Sequence, residues 1–157
     1  MKKVNIKGWQ IEIDTKKTLE FYNNVDKDDI LSCCIYCKNY YYGIRKTSKI
    51  LIDFFNDLGI VPEKVAHLSE LMKLDNGKHL YDVDYLLCGN ILTQPIEVEN
   101  VRENGALGTK MIELTDSISF NFTDKRPSSV SPHICPQPLL TLQLICEVPW
   151  VLDEFPD

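Results

Sequence analysis

Hydrophobic positions change period along the chain, and the changes divide it into elements. Val4, Ile6, Trp9, Ile11 and Ile13 alternate with polar residues around Lys7-Gly8, which predicts a short hairpin with one buried face. Asn23 to Asp29 is polar and turn-rich and reads as a loop. From Asn39 to Leu58 the period is helical. Ile44, Leu51, Phe55 and Leu58 form a stripe that Ile50 and Phe54 widen. Gly59 stands where a helix wants a left-handed residue after its end, and Pro62 bars continuation. Gly43 costs the first turns about 1 kcal/mol relative to alanine.

After Ala66 the period shifts to two. Asn76-Gly77 predicts a hairpin tip of type I′. Tyr81, Val83, Tyr85, Leu87 and Ile91 then form a strand that Pro95 ends, with Asp82 and Asp84 together on its polar face. Ile96 and Val98 alternate with Glu97 and Glu99, predicting another strand, and Asn104-Gly105 and Gly108 mark turns. Ile118, Phe120 and Phe122 show the cleanest alternation. Lys125 to Pro138 holds four prolines and reads as a long surface loop, before a last strand from Leu140 to Val148. Strands joined by short turns, with one sizeable helix placed early, predict an α+β chain. The expected architecture is a predominantly antiparallel β-sheet with one main α-helix packed on it, in a single domain over residues 1–157.

Composition adds exclusions more than identities. With 44% hydrophobic and 25% charged residues, the chain is too apolar to be disordered. Its longest strongly apolar stretch, Leu139 to Val148, is interrupted by Thr141, Gln143 and Glu147. A spanning helix needs about 20 mostly apolar residues, so no membrane segment is expected. Lys2 and Lys3 precede no apolar stretch of the kind a signal peptide carries, and the expected location is cytoplasmic. Residues 1–64 hold 11 Lys and Arg against 9 Asp and Glu, whereas residues 65–157 hold 6 against 14. No basic stripe suits nucleic acid. The acidic half suits a basic protein partner, although such a surplus is more often simply solvated surface.

Six cysteines make spacing informative. Cys34 and Cys37 are three positions apart, so both sulfurs can grip one zinc, the cofactor this spacing would take. A structural site needs four ligands, and His133 with Cys135 is the best second pair, ahead of Cys33, His79 and Cys88. At a helix start the same two thiols could instead serve as a redox dithiol. The plainer reading treats them as small buried side chains. No G-x-S-x-G elbow, Walker A run or G-x-G-x-x-G occurs, and His67, His79 and His133 are the available bases. Asp82 and Asp84 could share a proton, though a solvated strand face explains them more simply. Tyr40-Tyr41-Tyr42 beside Tyr36 cannot all be buried on one side of a helix, so at least one ring is expected at the surface, where tyrosine favours protein interfaces.

Three segments together resemble a family of small uncharacterised bacterial proteins. They are Cys34-x-x-Cys37-x-Asn39-Tyr40, then Leu58-Gly59-Ile60 with Pro62-Glu63-Lys64, and Val148-Pro149-Trp150-Val151-Leu152. The resemblance implies no activity and carries no site residues. The expected function is a non-catalytic, protein-binding module, such as an inhibitor or immunity-type partner of a basic protein. The alternative is a zinc-binding or thiol-redox protein centred on Cys34 and Cys37.

Overall fold

A computed structural model of the protein describes residues 1–25, 34–96, 98 and 111–156. Cys33 and the turns expected at Asn104-Gly105 and Gly108 lie outside the described residues, as does most of the loop expected at 23–29.

Strands β1 (Lys2–Ile6) and β2 (Trp9–Ile13) form the expected hairpin. Lys7 and Gly8, both at positive φ, make its two-residue turn. Helix α1 (Thr15–Asn24) follows, capped by the Asp14 side chain on Lys17 N at 2.9 Å. Next come α2 (Ile35–Gly43) and α3 (Lys49–Leu58). Five strands complete the fold: β3 (His67–Lys73), β4 (His79–Thr93), β5 (Ile112–Thr115), β6 (Ile118–Thr123) and β7 (Leu139–Val148). All pairings are antiparallel, in the order β1-β2-β4-β7-β6-β5, with β3 also on β4.

The antiparallel α+β architecture is therefore present, but the single helix expected over 39–58 is two. A 3-10 turn at Ile44–Lys46 separates them. Thr47 is extended, its hydroxyl donating to Ile44 O at 2.7 Å, and Ser48 caps α3 by accepting from Leu51 N. Two hydroxyl residues in succession offer the backbone local partners that compete with helix continuation. The apolar stripe runs through the break because both helices pack on one sheet face. Phe54 meets Phe120, Phe55 meets Tyr85 and Tyr40 meets Tyr81, with ring centroids 5.2–5.3 Å apart. The far end matches expectation, with Gly59 left-handed at φ 76°.

Two smaller expectations are corrected. At Asn76-Gly77 only Gly77 has positive φ, and Gly77 N donates to Leu74 O at 3.0 Å. With Leu74 N also donating to Lys78 O at 2.8 Å, the tip is a three-residue loop ending in a left-handed glycine, instead of a two-residue type I′ turn. Ile96 and Val98 have helical backbone, and Val98 N donates to Pro95 O at 3.1 Å. Pro95 opens a helical turn there, as its fixed φ favours.

Strand β4 organises the molecule. Along one edge it pairs β7 from His79 to Cys88; along the other it pairs β3 through Asp84 and β2 from Gly89. The gap between β3 and β2 is filled by α1. Tyr22 Oη donates to Leu86 O at 2.8 Å, Thr18 Oγ1 accepts from Cys88 N at 3.0 Å, and Asp14 N donates to Cys88 O at 2.9 Å. Buried strand groups that lack a neighbouring strand thereby keep partners.

The second face of the sheet carries a cross-strand row of His67, Asp84, Gln143 and Asn121, each opposite the next. This face is less solvated than the alternation implied. The loop after β6 is tied to Thr141 on β7 and, through Ser129, to Ala66 beside β3, so it spans β4. Burial, and then the neighbouring Asp82, push the Asp84 carboxyl up to about 6, while His67 opposes the rise. Folding therefore favours protonated Asp84, and the ionised form weakens the fold as pH rises from about 4 through 6. Asp84→Asn is expected to raise stability at pH 7.5 by about 1 kcal/mol after allowance for solvent screening. Thermal melts should show the gain at pH 7.5 and its disappearance at pH 4.

Candidate functional site

At the end of the sheet where β4 begins, four chain segments line an open cavity of about 560 Å³. Its walls include Tyr36 from α2, Glu70 from β3, His79 from β4, and Trp150 and Phe155 from the segment after β7. His79 is buried, 4% exposed, with Nδ1 3.1 Å from Glu70 Oε1. Its ring lies 4.8 Å from Trp150 and 6.0 Å from Tyr36, and Trp150 stacks on Phe155 at 6.3 Å. Aromatic rings thus meet a carboxylate here, and Lys73 stands at the same wall. Among the described residues that line it, none is a serine, threonine or cysteine.

Asn39, fully buried, holds these walls together. Its Nδ2 donates to Pro149 O at 3.1 Å and its Oδ1 accepts from Val151 N at 2.8 Å. Tyr81 Oη, within 3.4 Å of Asn39 Nδ2, donates to Tyr36 O at 2.9 Å. One amide side chain therefore fastens the segment bearing Trp150 to the helix bearing Tyr36. Trp150 Nε1 donates to Glu154 O at 2.8 Å, folding the segment back so that Phe155 reaches the ring. Glu154 also pairs with Lys38 at 3.1 Å. The segments around Cys34–Tyr40 and Val148–Leu152 meet at this clasp.

The tyrosine cluster divides among three environments. Tyr36 lines the cavity, whereas Tyr40 is wholly buried, its hydroxyl bonded to Tyr85 Oη, and burial raises its pKa. Tyr42 is 50% exposed and packs edge-on against half-buried Tyr41 at 5.0 Å.

Of the four candidate zinc ligands, the structure brings two together. Cys34 caps the N-terminus of α2, and its sulfur lies 3.2 Å from that of Cys37. His133 and Cys135 belong to the 3-10 turn Pro132–Ile134 and its end, in the long loop. Cys135 faces a separate hollow with Arg126, Gln137 and Leu139, beside the end of β7 opposite Cys88. Tyr81, whose hydroxyl meets α2, lies seven positions earlier in β4, about 23 Å away at strand rise. Among the described residues, no three His, Cys, Asp or Glu side chains gather as a metal site, so the expected four-ligand set does not assemble there. Cys88 and Cys146 are buried in strands, and burial pushes the Cys146 thiol up to about 12. Among the described residues, no helix is long and apolar enough to cross a membrane.

Sequence reasoning passed over Glu70, His79's partner, and Asn39 as the clasp. A buried asparagine carries no periodic signal, and its partners lie some 110 positions away. Comparison with protein-family models, characterised proteins and solved structures returns no match, and the functional reading rests on this geometry.

Proposed function

We propose that the protein is a non-catalytic binding module for a basic protein, of the inhibitor or immunity type. In this reading the partner inserts a cationic side chain into the cavity between Tyr36, Trp150 and Phe155, beside Glu70. The observation that carries it is the meeting of three aromatic rings and a carboxylate in one cavity. Aromatic faces attract guanidinium and ammonium groups within about 6 Å, and the attraction strengthens when water is excluded. The acidic 65–157 half would speed encounter with such a partner.

Titration with a penta-arginine peptide, followed by Trp150 fluorescence, tests the proposal. Saturable binding is expected, with penta-glutamate inert. Affinity should fall as salt shortens the Debye length below about 8 Å. Glu70→Gln should weaken binding about tenfold, a loss of ~1.4 kcal/mol. Trp150→Leu, read by calorimetry, should weaken it similarly. Equal response to both peptides would remove the basic-partner assignment.

A further inference from the structure

We infer that Cys34 and Cys37 form a dithiol–disulfide switch that reacts with glutathione-type disulfides and acts on the cavity through Tyr36. The chemistry stands independently of the cavity's proposed role; only its regulatory consequence rests on that reading.

The two sulfurs already lie 3.2 Å apart in a hydrogen bond, against about 2.05 Å in a disulfide. Their environments differ as a reactive pair requires. Cys34 is exposed at the cap of α2, open to attack on a dissolved disulfide, and Cys37 is buried one turn later. Cys37 N points at Cys34 Sγ from 3.4 Å, and the positive end of the helix faces the same sulfur. Such surroundings favour the thiolate, the form that attacks.

The exchange balances without any group beyond its oxidant. Cys34 thiolate attacks one sulfur of oxidised glutathione, the S–S bond breaks, and one glutathione thiolate leaves. Cys37, after yielding its proton to solvent, attacks Cys34 Sγ and expels the second glutathione. Two electrons pass from the protein thiols to the glutathione disulfide, giving two glutathione thiols and one intramolecular bond. That bond closes the turn carrying Tyr36, whose ring lines the cavity 6.1 Å from Trp150 and whose carbonyl is held by Tyr81.

The test treats reduced wild type and Cys33→Ser with excess oxidised glutathione, followed by intact mass and disulfide mapping. Both proteins should lose the mass of two hydrogens, with the new bond mapped to Cys34–Cys37. Cys37→Ser, unable to resolve the intermediate, should retain one glutathione on Cys34, and Cys34→Ser should form neither product at these positions. Oxidation should also shift Trp150 emission in Cys33→Ser, with no shift once Cys34→Ser is added. A bond mapped to another pair, or a Cys34 that stays reduced while glutathione modifies other thiols, overturns the switch. A Cys34–Cys37 bond that leaves Trp150 emission unmoved overturns its action on the cavity. Peptide binding enters neither readout, so failure of the binding proposal is seen separately.

Discussion

Asn39→Ala is expected to lower the melting temperature by about 5–10 °C and to loosen the cavity at the same time. The substitution removes the donor to Pro149 O and the acceptor for Val151 N, leaving two partly buried backbone groups without partners. Such orphaned groups together cost about 2–3 kcal/mol. For a chain of this size, each kcal/mol moves the midpoint by about 2–4 °C. The distinguishing readout is Trp150. With its segment detached from α2, its fluorescence should shift to the red in the still-folded protein, well below the melting transition. Asn39→Asp should be worse than alanine, because it keeps the acceptor but adds a charge at a fully buried position. A mutant that melts early with unchanged Trp150 emission would show that Asn39 braces the core without shaping the cavity.

The other large effect is expected at Gly89. A Cβ there would stand 2.3 Å from Glu12 O and 3.0 Å from Ile13 Cγ2. Side-chain rotation cannot relieve contact with a backbone oxygen, so β2 would have to draw away from β4. Retreat of β2 would break its pairing to Ile91 and Asn90 and expose Trp9, Ile11 and Ile13, all buried. Gly89→Ala should therefore cost about 3 kcal/mol in urea unfolding, at the upper end of overpacking effects. Hydrogen exchange should locate the damage, with faster exchange in β1 and β2 and little change in β6 and β7. Gly77→Ala provides the contrast. Its Cβ would meet nothing within 4 Å, so its cost comes from the positive φ alone.

The residues that signalled the fold acted locally. Gly59 and Pro62 ended a helix where expected because left-handed geometry and a missing N–H are properties of single residues. The strands at Tyr81–Leu87, Ile118–Phe122 and Leu140–Val148 were legible because each buries one whole face. Helix α1 left no such trace. Its buried positions are Thr18 and Tyr22, and Leu19 beside them is exposed, so its pattern does not read as an apolar stripe. The break at Thr47-Ser48 was hidden for the opposite reason, since the stripe runs straight through it. At the cavity, Tyr36 and Trp150 were noticed as members of separate segments. Their meeting depends on Asn39, whose type gives no hint of burial.

Helix α1 also carries a consequence for the edge of β4 that it covers. Between Asp84 and Gly89 no strand among the described residues lies beside this edge of β4, and the segment there, Tyr85-Leu86-Leu87-Cys88, is buried throughout. An apolar strand with an unpaired edge is a template on which a strand of another chain can add. Two hydroxyl groups, on Thr18 and Tyr22, occupy that template from within the same chain. They sit on a ten-residue helix, shorter than the roughly 12–15 residues that isolated helices need in water. The guard over this apolar stretch of the sheet is thus a helix that depends on the sheet for its own existence. Any event that lifts α1 exposes the template and melts its cover together, so self-association of this protein would begin at an internal strand.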